Sequence, residues 1–247
     1  ALPICARYEY DYRTFAHLGG FRCPDCGYKR GKPAVSVARV QAFLPEGSQV
    51  DFRVDGELIP GYVGLPAAYN LYNAAAALAA ATAMGVPAGS AVASLAEVKS
   101  GFGRMESFLL GNVRVKVILV KNPAGCDRAL DYLSGLRGDF MAAFCLNDNL
   151  ADGTDISWIW DAGFERLFAE GPGPKLVVSG TRAEDMRLRL KYAGADENMV
   201  RLIRNDEELI QTAAQSSVPV YILPTYTAML PIRRALSKRC GGREFWE

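Results

Sequence analysis

Short apolar runs alternate with helical patterns through the second half of the chain. Runs rich in Val, Ile and Leu recur from residue 113 onward, and segments with helical spacing of apolar positions separate them. Buried parallel strands are such runs, and the helices between them are crossover connections. The pattern predicts an α/β fold with a doubly wound parallel sheet. We expect strands at 114–120, 140–146, 174–179, 199–203 and 219–224, and helices at 126–136, 162–168, 183–193, 206–216 and 226–239.

The first half shows two other patterns. Residues 34–44 alternate between polar and apolar, and residues 48–54 do the same before the turn residues Asp55 and Gly56, which predicts two sheet strands. An alanine-rich run at 68–84 stops at Gly85 and Pro87, which predicts a helix, and a second helix is expected at 89–98. Residues 61–66 and 101–106 are expected to be loops.

The composition is that of an ordinary globular protein. The chain has 247 residues, of which 50% are hydrophobic and 22% charged, with a net charge of +1. This balance gives no support for nucleic-acid binding through bulk electrostatics. No apolar run is long enough to span a bilayer, and no signal peptide pattern opens the chain. The cysteine usage suggests a reducing setting, so we expect a cytoplasmic protein without a transmembrane segment.

Three cysteines near the start of the chain have metal-ligand spacing. Cys23 and Cys26 form a CxxC pair followed by Gly27, which permits a tight turn, and Cys5 lies eighteen residues before Cys23. This arrangement predicts a structural Zn²⁺ site in a small unit. Three possibilities stay open for the fourth coordination position: His17 occupies it, a cysteine outside this chain occupies it, or the ion keeps a labile ligand there. The alternative is a redox pair or a chance CxxC.

An acidic loop follows the predicted strand at 140–146. It contains Asp148, Asp152 and Asp155, without Lys or Arg among them. Ligands of open α/β sheets gather at the carboxyl ends of strands. Three carboxylates placed there repel one another, so we expect a partner in the form of a cation, a histidine or a donor from another chain. The alternative is that each Asp caps a turn or a helix.

Two further places suit a phosphate or a nucleotide. Asn70 and Asn73 share one face near the start of the helix at 68–84, where amides and the helix dipole favour an anion. Arg104 follows two glycines, and its planar guanidinium could brace a phosphate. The alternatives are a helix cap for the asparagines and a surface charge for the arginine.

Four motifs together resemble a known family. They are YNLYN at 69–73, GRME at 103–106, KNPAG at 121–125 and LNDNLADGTDISWIWD at 146–161, in the order seen in Mur ligases. More narrowly, the chain resembles the MurT family, the Mur-ligase-like subunits of lipid II isoglutaminyl synthase. In that family a four-cysteine ribbon is inserted in the middle domain, and the C-terminal domain carries DGxDxSWIWD. The resemblance covers nearly the whole chain.

The resemblance implies an enzyme of two proteins. The MurT side activates the α-carboxylate of D-glutamate in lipid II with ATP and Mg²⁺, at the inner face of the membrane. A GatD-type glutamine amidotransferase supplies the ammonia that gives D-isoglutamine. Asp155 matches the aspartate thought to complete the Cys-His triad of that partner, and Asp148 and Asp152 would shape its loop.

The resemblance also assigns a nucleotide site and a division of the chain. Asn70, Asn73 and Arg104 match positions that lie around ATP in Mur ligases. Residues 1–33 would be the zinc ribbon, 34–108 the C-terminal part of the middle domain, and 109–247 the C-terminal α/β domain.

The sequence departs from the family pattern in two places. The phosphate-binding loop GxxxxGK[ST] is absent. In the family that loop precedes the ribbon, so we expect the C-terminal portion of a longer protein, or a truncated relative, that does not bind ATP tightly alone. The second departure is Leu2, which stands where the family has its fourth cysteine. The alternative functions are another Mur-type amide ligase and a non-catalytic docking module for a glutamine amidotransferase.

Overall fold

Three sheets organise the computed structural model, which describes residues 7–15, 18–44, 46–98, 103–169, 171 and 173–240. A two-stranded hairpin pairs β1 with β2, a three-stranded antiparallel sheet has the order β3-β4-β5, and a six-stranded sheet has the order β10-β9-β8-β11-β7-β6. The strands are β1 Glu9–Phe15, β2 Leu18–Arg22, β3 Val35–Leu44, β4 Gly47–Val54, β5 Glu57–Val63, β6 Arg104–Leu110, β7 Val113–Ile118, β8 Met141–Cys145, β9 Lys175–Ser179, β10 Val200–Leu202 and β11 Val220–Pro224.

The helices follow the strands much as the sequence predicts. They are α1 Ala68–Ala83, α2 Ala88–Ser94, α3 Pro123–Ser134, α4 Ala183–Tyr192, α5 Asp206–Ala214 and α6 Tyr226–Cys240. The helix expected at 162–168 is a 3₁₀ helix, Phe164–Phe168. In the part of the chain described here, no helix is both long and apolar enough to cross a membrane.

The six-stranded sheet is buried on both faces. Ala142 and Phe144 of β8 belong to the core beneath α3 and α4, whereas Ala143 and Cys145 belong to the core beneath α5 and α6. Strand residues point alternately to opposite faces, so the continuous apolar run of β8 fills both cores. The α/β class and the doubly wound parallel sheet are therefore confirmed; only β6 is antiparallel.

The carboxyl ends of β8 and β11 lie side by side. These strands are parallel neighbours, with Cys145 opposite Pro224. The chain that leaves β8 continues to β9 on one side, and the chain that leaves β11 enters α6, which packs against β6 on the other side. The connections diverge, and in open α/β sheets ligands bind at such a point. The loop with the three aspartates begins there.

The three-stranded sheet packs against α1 and α2. Val50, Phe52 and Val54 of β4 are buried in this third core with Leu71 and Leu78 of α1. Strands β3 and β4 form where the alternating pattern predicts them. The pattern missed β5, part of which was expected to be a loop. Pro60 weakens the strand signal there, but β5 is an edge strand, where proline is tolerated.

The expected loop around Arg104 is instead the start of β6. The pairing register with β7 shifts between Arg104 and Glu106, and Met105 between them has a φ of 63°. This bulge turns Met105 into the core and leaves Arg104 exposed. Glu106 fixes the turn, because its Oε2 accepts a 2.9 Å hydrogen bond from the Gly103 amide and lies 2.9 Å from Nε of Arg233.

The division of the chain at 33 and 108 stays a prediction. Strand β6 runs across residue 108 and belongs entirely to the six-stranded sheet. Strand β6 is therefore structurally part of the six-stranded sheet. The predicted boundary at 108 instead places its first residues, with the GRME motif, in the preceding segment.

We expect Gly103→Ala to destabilise the protein more than Gly111→Ala. Both glycines have a positive φ, 70° and 62°, so both substitutions carry the backbone strain of about 1 kcal/mol. An added Cβ at Gly103 would lie 1.9 Å from Sδ of Met229, which is fully buried, whereas nothing lies within 4 Å at Gly111. Overpacking adds about 1–3 kcal/mol. Denaturant unfolding of both variants measures the difference, and equal losses would contradict the proposed crowding.

Candidate functional site

Asn147 links the carboxyl ends of three strands, β8, β9 and β11. Its backbone amide donates to Oγ1 of Thr225, at 3.0 Å, in the residue that follows β11. Its side-chain Nδ2 donates to Oγ1 of Thr227 at 2.9 Å, and its Oδ1 accepts from the amide of Thr181 at 2.9 Å, just after β9. The acidic loop therefore starts from a fixed point between β9, β8 and β11.

Asp148 has a cationic partner in its own chain. Its Oδ2 lies 3.0 Å from Nη1 of Arg182, and its Oδ1 accepts from Oγ1 of Thr181 at 2.9 Å. The hydrogen bond from Arg182 lowers the pKa of Asp148 below its ordinary value. The partner of Asp148 is therefore a cation of the same chain, because the turn after β9, distant in sequence, brings Arg182 to it.

Asp152 is also satisfied within the chain. Its Oδ1 accepts a 2.7 Å hydrogen bond from the backbone amide of Thr227, and its Oδ2 accepts from the hydroxyl of Thr227. This aspartate caps the start of α6 from a distance of 75 residues in sequence. The capping alternative therefore describes Asp152 in part.

Asp155 differs from the other two aspartates. Its side chain is exposed, and among the described residues its only hydrogen-bond partner is Ser157, whose backbone amide donates to Oδ1 at 2.8 Å. That backbone hydrogen bond lowers the pKa of Asp155, so the side chain is ionised at neutral pH. Asp155 thus differs from Asp148 and Asp152 in that its hydrogen bonds stay local, to Ser157 two residues further along the chain.

The segment after Asp155 is anchored in the core. Ser157–Trp160 forms a 3₁₀ helix, and Ile159 within it is fully buried. Arg189 of α4 is itself only 3% exposed, and it donates to the carbonyl oxygens of Ile159 and Ala162 at 2.9 and 2.7 Å. Its Nη2 also lies 2.7 Å from Oε1 of Glu165. A buried guanidinium with such partners fixes the segment that follows Asp155.

The geometry suits an acid that acts on another molecule. An exposed, ionised carboxylate held in a turn can accept a hydrogen bond from an imidazole N–H and orient the ring. Cys145, at the end of β8, is no nucleophile for this site, because it is 2% exposed and burial raises the pKa of its thiol. What the loop offers to a ligand is therefore the carboxylate of Asp155.

The residues expected around a nucleotide lie close together at the start of α1. Asn70 is buried and donates from Nδ2 to the carbonyl of Pro66 at 2.6 Å, and Asn73 donates to Oδ1 of Asn70 at 3.3 Å. Burial raises the pKa of Tyr69, while its bond to Asn70 and the nearby charge of Arg104 lower it. Asn70 thus holds the helix start, and Asn73 and Arg104 are exposed.

A cleft lies between the two larger sheets, and no sequence motif indicated it. This cleft, of about 1060 Å³, lies between the β3–β4 turn, the start of α1, the end of α3 and the amino ends of β7 and β11. Nζ of Lys116 lies 3.5 Å from Oε2 of Glu46 across it, and Oγ of Ser107 donates to the same oxygen at 3.3 Å. Burial lowers the pKa of Lys116, although Glu46 opposes the shift. The cleft does not include the acidic loop.

The CxxC pair forms a tight turn after β2. Cys23 is buried and Cys26 exposed; the amide of Gly27 donates to the carbonyl of Cys23 at 3.0 Å, and Gly27 has a φ of 73°. The predicted need for glycine at this turn is confirmed. Cys5 and His17 lie outside the described residues. Within the residues that are described, no three His, Cys, Asp or Glu side chains gather as metal ligands.

Comparison with known proteins agrees with the motifs. Residues 119–229 match the family model described as MurT ligase C-terminal. A lipid II isoglutaminyl synthase (glutamine-hydrolyzing) subunit MurT from Streptococcus pneumoniae is 32% identical over 94% of this chain and 51% of its own length. The chain therefore spans about half the length of the curated relatives it matches.

Solved structures share the fold at lower identity. MurF from Acinetobacter baumannii superimposes with a TM-score of 0.60 and 18% identity, over 83% of this chain and 45% of MurF. Folylpolyglutamate synthase from Mycobacterium tuberculosis, complexed with ADP and AMPPCP, gives a TM-score of 0.59 and 22% identity, over 85% of this chain and 48% of the synthase. These matches show that the chain shares the fold of the corresponding part of each of these two structures.

We expect Arg189→Met to destabilise the protein by about 2–4 kcal/mol, because it leaves the buried carbonyls of Ile159 and Ala162 without their donor. The matched control is Arg201→Met. Arg201 is 55% exposed and pairs with Glu208 at 2.9 Å, so its loss should cost less than about 1 kcal/mol. Denaturant unfolding compares the two variants. Equal small losses would show that Arg189 does not anchor the segment.

Proposed function

The chain belongs to the MurT family, and on that premise we propose that it takes part in the glutamine-dependent, ATP-driven amidation of lipid II. The observation that supports this most strongly is Asp155, an exposed and ionised carboxylate on a loop anchored on both sides. The reaction converts the α-carboxylate of D-glutamate to the amide of D-isoglutamine. Its lipid-linked substrate would place the protein in the cytoplasm, at the inner face of the membrane.

Asp155 would serve a partner protein of the glutamine amidotransferase class. Such a partner hydrolyses glutamine with a Cys-His pair, and the imidazole needs an acid that fixes its tautomer and stabilises its protonated form. Asp155 has two attributes of that acid: its side chain is exposed, and its pKa is lowered by hydrogen bonds from Ser157. Asp148 and Asp152 are occupied by Arg182 and Thr227, so they would support the loop instead.

The nucleotide would lie near the start of α1. The folylpolyglutamate synthase of similar fold was determined with ADP and AMPPCP, which supports nucleotide binding in this fold. We assign Asn73 and Arg104 to the nucleotide because both are exposed, and Asn70 to positioning Asn73, to which it is hydrogen-bonded. ATP with Mg²⁺ would activate the carboxylate by phosphorylation. Arg104 would offset negative charge there.

A structural zinc ion would hold the hairpin of β1 and β2. Cys23 and Cys26 flank the tight turn, and thiolates three residues apart suit one tetrahedral ion. Cys5 would be the third ligand, and His17 is a candidate for the fourth. The support is the cysteine spacing together with the glycine turn.

The Asp155→Asn variant tests the proposed function. Asparagine keeps an oxygen for the Ser157 amide but cannot stabilise an imidazolium by charge. We expect the glutamine hydrolysis of the complex between this chain and its amidotransferase partner to fall by a factor of about 10³ or more, as for other triad acids. Steady-state measurement of kcat with purified partner protein gives the result, and the affinity of the complex should stay unchanged.

Asp161→Asn is the matched control for Asp155. Asp161 is exposed and lies six residues further along, directly after the 3₁₀ helix. Its substitution should leave hydrolysis intact. A complex that keeps full hydrolysis with Asp155→Asn would overturn the proposed role and favour the docking-module alternative. Amidation with free ammonia that no glutaminase stimulates would favour another Mur-type ligase.

The zinc proposal is tested by metal content. We expect about one Zn²⁺ per chain by elemental analysis after purification without chelator, and loss of most of it in Cys26→Ser, because a tetrahedral site that loses a thiolate binds far more weakly. Cys240→Ser is the control, since Cys240 ends α6, far from the hairpin in sequence. Equal zinc in both variants, or none in the wild type, would contradict the proposal.

A further inference from the structure

Thr227 is the centre of the network that holds the acidic loop. Its Oγ1 accepts hydrogen bonds from Nδ2 of Asn147 at 2.9 Å and from Nδ2 of Asn149 at 2.8 Å, and it donates its proton to Oδ2 of Asp152. A hydroxyl group offers one donor and two acceptor positions. All three are used here, and all three partners belong to the loop that follows β8.

The loop receives its other supports from different residues. Asp148 is held by Arg182 and Thr181, and the segment after Asp155 is held by Arg189. Between these supports, the stretch 149–155 is tied to the rest of the protein through the bonds of Asn149 and Asp152 to Thr227. Asp155 follows Asp152 by three residues, with Gly153 at a φ of 86° between them. The Thr227 hydroxyl is therefore one of the contacts on which the position of Asp155 depends.

We propose that Thr227 is a positioning residue for Asp155, which sets the geometry of the carboxylate that the partner's imidazole receives. The inference rests on the proposed function of Asp155. It adds a residue that lies 72 positions away in sequence, after a different strand, and that no motif discussed above includes. A triad acid works only at hydrogen-bond distance from the imidazole, and a misplacement of about 1 Å can cost up to 10²-fold in rate.

Threonine suits this place better than its isostere valine. Valine has the same shape but lacks the hydroxyl, so it would leave Asn147, Asn149 and Asp152 each without one hydrogen bond. The backbone amide of residue 227 would still donate to Oδ1 of Asp152, so the loop would loosen rather than detach. Serine keeps the hydroxyl and can restore all three bonds.

The test measures glutamine hydrolysis by the complex of this chain with its amidotransferase partner. We expect Thr227→Val to lower kcat about tenfold or more, within the range for a misplaced catalytic group. The KM for glutamine and the Kd of the complex should stay within about twofold of the wild type, because hydroxyl loss removes neither the glutamine pocket of the partner nor the docking surface. Thr227→Ser should recover most of the wild-type kcat.

Thr212→Val and Asp155→Asn complete the design. Thr212 is a buried threonine of α5, so its substitution controls for the loss of a hydroxyl group elsewhere in the fold and should leave kcat unchanged. If Asp155→Asn abolishes hydrolysis but Thr227→Val does not, the positioning role is wrong and the proposed function stands. The role is also wrong if Thr227→Ser is as impaired as Thr227→Val, or if Thr212→Val matches it. If Asp155→Asn retains full hydrolysis, the proposed function fails, and the inference fails with it.

Discussion

Where β8 and β11 end, backbone amides and polar side chains leave the regular pairing of a buried sheet. These groups need hydrogen-bond partners of their own. A buried polar group without a hydrogen bond costs about 1–3 kcal/mol. Asn147 and Thr225, which is 1% exposed, satisfy each other at this point, and Thr181 closes the network from β9. The acidic loop therefore starts from a rigid base, and its conformation follows from the order of the strands.

Most of the α/β half could be predicted because its signals are local. Buried strands such as β8 are continuous apolar runs. Helix α3 begins at Pro123, three residues before the expected start, because Oδ1 of its N-cap Asn122 accepts from the amide of Gly125 at 2.8 Å. The pattern missed four strands, β1, β2, β5 and β6, and the last two of these depend on tertiary context. Pro60 is acceptable only because β5 is an edge, and the GRME stretch is a strand only because a bulge buries Met105.

The candidate site could be predicted in its main residue but not in its surroundings. Motif resemblance singled out Asp155 and grouped it with Asp148 and Asp152, and the structure separates the three by their partners. Arg182, Thr227 and Arg189 come from later segments of the chain. Their closeness to the loop follows from the strand order β9-β8-β11, in which the last strand of the sequence is inserted beside β8. No spacing in the sequence encodes that insertion.

The contact of Glu46 with Lys116 has a consequence for how the two larger sheets can move. Lys116 is held in a poorly hydrated place, where burial lowers its pKa, and its carboxylate partner lies on a turn that is itself largely exposed. Separating the sheets breaks the ion pair, but it also returns the ammonium group to water, and that hydration offsets much of the lost attraction. Such an ion pair therefore favours one arrangement of the sheets, but the pair itself adds little to the free energy needed to separate them.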